Sequence, residues 1–189
     1  MLRNAGIDPE VIVSGVDEST EPGLDTPAIV AVLAERKAAA VVAAVAEQHP
    51  DALVLGCDSM LDLDGGAYGK PATARAASQL WQRMSGRDGT LLTGHCLIQA
   101  GSGRTVSGVG RTVVRFGRPS QAEIDAYVRT GEPLAMAGAF SLDGLGGAFV
   151  DGIDGDPGNV IGLSLPLLRR LLAEFGVAIT DLWRAGPAS

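Results

Sequence analysis

The stretch Ala52-Leu53-Val54-Leu55-Gly56-Cys57-Asp58 decides the fold class of this chain. A continuous apolar run of this length is typical of a strand that is buried on both faces, as in α/β proteins. We predict that the strand ends at Asp58, and ligands of α/β proteins tend to bind at such strand ends. Taken alone, Asp58 is interpreted as a turn former.

Three segments around this strand carry the signals of helix starts. Asp25-Thr26-Pro27 supplies an N-cap hydroxyl and an early proline, and the Ala- and Val-rich run after it predicts a long helix. Thr73 is predicted to cap a second helix, and Ser120 with Glu123 forms a capping box for a third. The chain therefore contains several helices separated by other elements.

The remaining segments predict strands and one more helix. Residues 90–116 contain two strand-like runs around the turn Gly101-Ser102-Gly103, and residues 147–153 predict another strand. A last helix is predicted around residues 166–175. Helices separated by strands, some of them in hairpins, indicate an α/β protein with a mixed β-sheet flanked by helices, not a purely doubly wound one.

Composition excludes several classes of protein. The chain has 189 residues, 46% of them hydrophobic, and a net charge of −7, which argues against a nucleic-acid polymer as partner. No apolar run is long enough to span a membrane, and no signal peptide is recognisable. Cys57 and Cys96 lie in apolar strand-like runs without histidine partners, so we expect reduced cysteines. These features predict a cytoplasmic protein with no membrane among its partners.

Lysine is rare in this chain. Lys37 and Lys70 are the only two lysines, against thirteen arginines. Two explanations account for this count equally well. One is a chance bias toward arginine, and the other is a phosphate site that requires a compact cation. Lys37 falls in an apolar row of the first predicted helix, and Lys70 follows a glycine and precedes a proline.

Other familiar motifs fail on their context. Gly144-Leu145-Gly146-Gly147 leads into a strand-like segment instead of a helix, which excludes a dinucleotide fingerprint. Residues 62–66 match a calcium loop at two positions only, and a hairpin turn is favoured. His95 lies inside a predicted strand and is interpreted as a structural residue.

The remaining polar residues suit metal-assisted phosphate chemistry. Asp58 follows a strand, Glu18 and Asp143 lie near glycines, and Lys37 and Lys70 are isolated cations. Carboxylates can hold Mg²⁺ or activate water, and lysines neutralise polyphosphate oxygens that would repel a nucleophile.

Several motifs, in order along the chain, resemble those of the Maf-like nucleotide pyrophosphatases. They are Glu35-Arg36-Lys37-Ala38, Leu55-Gly56-Cys57-Asp58-Ser59, Gly69-Lys70-Pro71, Met84-Ser85-Gly86-Arg87, Gly131-Glu132-Pro133, Ala137-Gly138-Ala139-Phe140 and Gly155-Asp156-Pro157-Gly158-Asn159-Val160-Ile161-Gly162-Leu163. The resemblance covers nearly the whole chain. It implies metal-dependent cleavage of a nucleoside triphosphate to the monophosphate and pyrophosphate.

The resemblance also implies a site and an architecture. Asp58 matches the catalytic carboxylate and a metal ligand, Glu18 a second acidic metal ligand, and Lys37 and Lys70 the lysines that bind phosphate. The implied cofactor is a divalent cation, Mg²⁺ or else Mn²⁺. Residues 1–189 would form a single domain with two lobes around a nucleotide cleft, and a homodimer is possible by the same resemblance.

Two departures from the family are visible. The chain opens at Met1-Leu2-Arg3-Asn4-Ala5-Gly6-Ile7, which resembles the end of a family helix, so the family's first strand and its Ser-x-Ser-Pro-x-Arg loop are expected to be missing. Ala135-Met136 and Asp143 differ from the pattern of the dTTP/UTP branch. The preferred base is therefore not implied, and Asp143 is a candidate to accept hydrogen bonds from an amino-bearing base edge.

Two functional hypotheses follow. The leading one is a hydrolase that removes non-standard or excess nucleoside triphosphates. The alternative is a regulatory protein, linked to septum formation, that binds nucleotides without useful hydrolysis.

Overall fold

The computed structural model describes residues 1–19 and 22–184. The strands are β1 (Leu53–Leu63), β2 (Gly66–Tyr68), β3 (Asp88–Gln99), β4 (Thr105–Phe116) and β5 (Val150–Gly155). The α-helices are α1 (Thr26–Val45), α2 (Ala74–Met84), α3 (Gln121–Arg129), α4 (Pro157–Ile161) and α5 (Leu165–Glu174). Among the described helices, none is both long and apolar enough to cross a membrane.

The five strands form one sheet in the order β2-β1-β3-β4-β5. The predicted α/β class with flanking helices is confirmed. The sheet is not mixed, however, because every pairing among the described strands is antiparallel. A helix between two strands is typical of a parallel crossover, but here the β2 hairpin reverses the chain before α2. After α2 the chain therefore returns along β1 in the opposite direction.

Strand β1 is longer than predicted. It continues past Asp58 to Leu63, so the prediction that the strand ends at Asp58 is wrong. The strand can include the polar residues Ser59 and Asp62 because the side chain of each forms a hydrogen bond. The Ser59 and Thr93 hydroxyls are 2.8 Å apart across the β1–β3 ladder, and Asp62 accepts a hydrogen bond from Thr26. Asp58 thus lies in the middle of a strand, where its position is fixed by the sheet.

Helix α1 packs directly on the sheet through two glycines. A Cβ atom at Gly56 would lie 2.3 Å from the carbonyl oxygen of Ala34, and one at Gly94 would lie 2.1 Å from that of Val30. Any side chain at these positions would push the helix away from β1 and β3. The glycines therefore bring the backbone of α1 into contact with the two strands.

The caps of the helices agree with the sequence except at α1. The Asp25 carboxylate, not a hydroxyl, caps α1 by accepting a hydrogen bond from the Ala28 amide at 2.9 Å. The Thr26 hydroxyl donates instead to Asp62 at 2.6 Å. This hydrogen bond connects the start of α1 to β1. The predicted cap at Thr73 and the predicted capping box of α3 are confirmed.

The turns largely follow the sequence. The hairpin predicted for residues 62–66 joins β1 to β2, and the turn at residues 101–103 lies between β3 and β4. The strand predicted for residues 147–153 begins later, as β5, after the 3₁₀ helix Leu145–Phe149. Asp151 and Asp154 are exposed on β5.

Two hydrophobic clusters cover the face of the sheet opposite to α1. In the first, Trp81 packs edge to face against Phe116, Tyr127 and Phe149. The second gathers the buried leucines of α5 around Leu97. Residues from both clusters border the same cleft, which lies over the middle of β1.

Candidate active site

A cleft of about 260 Å³ brings together all five residues that the sequence nominated. They come from different elements: a loop before α1, helix α1, strand β1, the loop after β2 and the segment before β5. These residues are Glu18, Lys37, Asp58, Lys70 and Asp143. The fold therefore places residues that are up to 125 positions apart in sequence around one space.

Asp58 is the most buried of these acids. Its side chain is 9% exposed, and its Oδ1 atom accepts a hydrogen bond from Lys37 Nζ at 2.5 Å. Its Oδ2 atom is buried and has no hydrogen-bond partner among the described residues. A buried carboxylate oxygen without a partner is costly, and such atoms are found where a ligand, ion or water completes the site.

Lys37 joins two carboxylates. Its ammonium also lies 2.7 Å from Glu18 Oε1, and the Glu18 side chain is 52% exposed. Lys37 is one helical turn beyond Ala34, whose backbone touches Gly56, and this contact holds the helix close enough for Nζ to reach Asp58. The ion pair is thus positioned by packing between α1 and β1.

The charges of the site shift one another's proton affinity. Burial raises the pKa of Asp58 above its ordinary value, although the hydrogen bond from Lys37 opposes this effect. Burial alone would lower the pKa of Lys37, but its hydrogen bonds to Asp58 and Glu18 outweigh burial and raise it. The hydrogen bond from Lys37 lowers the pKa of Glu18. Lys37 therefore stays protonated, and Asp58 binds a proton more readily than an exposed aspartate does.

The loop that carries Glu18 is held by the neighbour of Lys37. Arg36 Nη1 donates to the carbonyl oxygen of Ser19 at 2.5 Å, and Asp17 accepts hydrogen bonds from the Ser19 amide and hydroxyl. The sequence analysis did not single out Arg36. The only signal in the sequence for a role of Arg36 at the site was its position next to Lys37 in α1. Both side chains contact the loop that carries Glu18.

Lys70 lies on the other side of the cleft and is exposed. Its loop is attached to the segment before β5, because the Gly138 amide donates to the carbonyl oxygen of Gly69 at 3.0 Å. Lys70 forms no ion pair within the part of the chain that the structure describes. Its charge lowers the pKa of both Asp58 and Glu18, but it contributes less than Lys37.

Asp143 lies at the rim of the cleft. It is exposed, and its Oδ1 atom accepts a hydrogen bond from the Ser141 hydroxyl at 3.1 Å. Ala135 and Met136, the other positions that depart from the family pattern, line the same side of the cleft. This wall consists of loops and 3₁₀ turns, in contrast to the helix and strand that carry Lys37 and Asp58.

The two other reactive groups near the site are structural. The buried ring of His95 accepts a hydrogen bond at Nε2 from the Ser164 amide at 2.9 Å, and its Nδ1 faces the carbonyl oxygen of Thr93. The prediction of a structural role for His95 is therefore confirmed. Burial raises the pKa of Cys57 to about 12, so its thiol stays protonated at neutral pH. Both cysteines are free, as expected.

Comparison with known proteins identifies the family. A model of the family described as "Maf-like protein" matches residues 1–175. A nucleoside triphosphate pyrophosphatase of Streptomyces coelicolor is 60% identical over 97% of this chain and 88% of its own length. Proteins with the same name from Mycolicibacterium gilvum and Salinispora tropica are 54% and 51% identical, over 97% and 100% of this chain and 92% and 84% of their own lengths. With its lysines and buried aspartate at one cleft, this chain belongs to the Maf-like protein family.

Proposed function

We propose that this chain hydrolyses nucleoside triphosphates to nucleoside monophosphate and pyrophosphate in the cleft over β1. The names of relatives at 51–60% identity support this activity. The observation that carries the proposal is the buried carboxylate of Asp58, which has one oxygen paired with Lys37 and the other without a partner beside the cleft.

Asp58 acts as the general base. Water attacks the α-phosphorus, the bond from that phosphorus to the oxygen bridging to the β-phosphorus breaks, and pyrophosphate leaves. The proton of the attacking water passes to Asp58 Oδ2, the atom that lacks a partner. The raised pKa of Asp58 favours this transfer, because a more basic carboxylate accepts the proton more readily.

Lys37 and Lys70 bind the triphosphate from the two sides of the cleft. Lys37 is held by Asp58 and Glu18, so it acts as a fixed charge near the reacting phosphorus. Lys70 is exposed and unpaired within the described ranges, so its ammonium is available to the phosphate chain. Both cations stabilise the negative charge that moves onto the leaving pyrophosphate.

A divalent cation, Mg²⁺ or else Mn²⁺, fits the donor set of Asp58 and Glu18. Their carboxylate oxygens are hard ligands, and both side chains line the cleft. Asp58 Oδ2 is kept for the proton of the attacking water. Within residues 1–19 and 22–184 no group of three or more acidic, histidine or cysteine side chains is suited to a metal. Glu18 and Asp58 would therefore hold the cation as a pair of carboxylates. When bound, the cation neutralises phosphate charge.

The remaining assignments deepen this proposal. Asp143 is placed to accept hydrogen bonds from the base, and the biological role is the removal of non-standard or excess nucleotides. A single domain over residues 1–189 with two lobes around the cleft stays a prediction, and the presence of two separate hydrophobic clusters supports it. A cytoplasmic location and a homodimer stay predictions. The alternative of a purely regulatory nucleotide-binding protein is not favoured by the names of the relatives.

Replacement of Asp58 by asparagine tests the proposal. Asparagine keeps the size of the side chain but cannot accept the proton, and the loss of a general base lowers the rate by about 10²- to 10⁴-fold. The measurement is pyrophosphate release with Mg²⁺ from a panel of ordinary and modified nucleoside triphosphates. Asp154→Asn is the control, because it removes an equal charge from an exposed position on β5. Full activity of the Asp58→Asn variant would refute the assignment.

A further inference from the structure

The loop between residues 132 and 146 forms one wall of the cleft. The carboxylate of Glu132 joins the start of this loop to its end. Glu132 Oε1 accepts hydrogen bonds from the Tyr127 hydroxyl at 2.8 Å and from the Gly146 amide at 3.0 Å. Glu132 Oε2 accepts one from the Leu145 amide at 3.1 Å. One side chain at the start of the loop therefore binds the backbone at its end.

The glycines of the loop make this contact possible. A Cβ atom at Gly144 would lie 2.6 Å from Glu132 Oε2, and one at Gly146 would lie 2.4 Å from the Tyr127 hydroxyl. Neither glycine serves a dinucleotide, because residues 145–149 form a 3₁₀ helix that leads into β5. The glycine-rich motif thus has a different use, which is to admit the carboxylate of Glu132.

Between these points the loop is also attached to the rest of the fold by the Gly138 amide, which donates to the Gly69 carbonyl oxygen, and by a buried tryptophan. Trp81 Nε1 donates to the carbonyl oxygen of Ala139 at 2.8 Å. Residues 140–144, which include Asp143, lie between this attachment and the one to Glu132. Phe140 stays anchored against Phe116, and Phe149 stays anchored against Trp81. Without Glu132, however, the residues between them would lose the hydrogen bonds at Leu145 and Gly146, and Asp143 would be held less firmly at the rim.

We propose that Glu132 is a positioning residue that sets nucleotide selectivity by fixing Asp143 and the cleft wall around it. This inference rests on the proposed function, since it assigns the base of the nucleotide to that wall. Glu132 itself does not touch the substrate. Its effect reaches the nucleotide through the backbone of Leu145 and Gly146 and through the loop that precedes them.

The test combines selectivity with coupling to Asp143. Glu132→Ala removes three hydrogen bonds to a charged acceptor, and each of them is expected to favour the ordered form of the loop by about tenfold or more. We expect KM to rise about tenfold or more for the preferred nucleotide while kcat changes little. We expect Asp143→Asn to alter selectivity in the wild-type chain. It should add little to the effect of Glu132→Ala, because Glu132 acts by positioning Asp143 and the two effects are then not additive.

Two further variants separate positioning from general destabilisation. Glu132→Gln retains an acceptor oxygen and should restore most of the selectivity. Glu123→Ala is the matched control, because Glu123 likewise accepts a hydrogen bond from a backbone amide, that of Ser120, but does so at the start of α3 outside the cleft. It should lower the melting temperature without changing the ranking of nucleotides. If Glu132→Ala fails to fold, Tyr127→Phe, which removes one donor to Glu132, takes its place with a smaller shift in the same direction.

The outcomes distinguish this inference from the proposed function. Dissociation constants for ATP, GTP, CTP, UTP and dTTP, measured by calorimetry without added metal, report on the wall even in a chain that does not hydrolyse nucleotides. A wild-type chain that binds nucleotides selectively without releasing pyrophosphate would refute the proposed hydrolysis. The role of Glu132 would then be decided by whether Glu132→Ala changes the order of the dissociation constants. Additive effects at Glu132 and Asp143, or a ranking unchanged by Glu132→Ala, would overturn the inference.

Discussion

The two walls of the cleft are built in opposite ways. One wall consists of α1 and β1, where the ion pair of Lys37 and Asp58 is positioned by direct contact between backbones. The other consists of loops and 3₁₀ turns whose shape depends on a few hydrogen bonds, above all those to Glu132. In the proposed function, the chemical step therefore lies on regular elements with little freedom, whereas recognition of the base lies on a loop that tolerates change.

The largest expected effect concerns the rigid wall. Lys37→Met removes a charged hydrogen bond to Asp58 and a phosphate contact, so we expect kcat/KM to fall by about 10- to 100-fold. The hydrogen bond from Lys37 opposes the rise in the pKa of Asp58. Without it the pKa rises further, and the acid limb of the pH profile moves to higher pH because Asp58 must be deprotonated to act as a base.

Lys70→Met is the comparison for that experiment. It also removes a cation from the cleft, but Lys70 influences Asp58 less than Lys37 does. Its acid limb should therefore move less. Identical acid limbs for wild type and Lys37→Met would contradict the coupling of the ion pair to catalysis.

The packing of α1 on the sheet gives the next effect. Gly94→Ala places a Cβ atom 2.1 Å from the carbonyl oxygen of Val30, a backbone atom that cannot rotate away. We expect the free energy of unfolding in urea to fall by about 1–3 kcal/mol. Gly69→Ala is the control, since a Cβ atom there would meet only Met60 Cε at 3.8 Å. Equal stability of the two variants would show that α1 can shift without cost.

A smaller effect is expected at the variable wall. Asp143→Gln removes a charge at an exposed rim position whose carboxylate meets only the Ser141 hydroxyl. We expect a change of less than about tenfold in kcat/KM, confined to the ranking of nucleotides, because a neutral acceptor binds amino groups more weakly than a carboxylate does. An unchanged ranking would remove Asp143 from base recognition.

The smallest effect is on stability in mild acid. Burial lowers the pKa of His95 below its ordinary value of 6.5. The unfolded chain therefore binds the proton first, and the folded state loses stability as the pH falls below about 6.5. Urea denaturation from pH 7 to pH 5 should show a weaker pH dependence in His95→Gln. The exposed His49 provides the control, and a His49→Gln variant with the same flattening would contradict the assignment.

The sequence predicted more of the rigid wall than of the variable one. Lys37 and Asp58 were recognisable because their local motifs are distinctive and the rarity of lysine draws attention to them. The position of Asp58 in mid-strand was missed, since its continuation depends on partners such as Thr93 and Thr26 that are distant in sequence. The prediction of a mixed sheet was wrong for a similar reason, because a short hairpin decides that β3 runs antiparallel to β1.

The contacts of Glu132 were beyond sequence reasoning. Residues 132 and 146 carry no shared pattern, and the sequence around Gly146 excluded a dinucleotide fingerprint without indicating the carboxylate that the structure shows there. Such contacts between irregular segments follow no fixed period, unlike the faces of helices and strands. They become visible only when the complete fold brings the segments together.

The contact of α1 with two glycines also bears on how the molecule would fail when warmed. Val30, Leu33, Ala34 and Ala38 of α1 are fully buried, so α1 can leave β1 only if these side chains become exposed to water. The loop closed by Glu132 needs to lose only a few hydrogen bonds. On heating, we therefore expect the protein to lose nucleotide selectivity at a lower temperature than the one at which it loses activity.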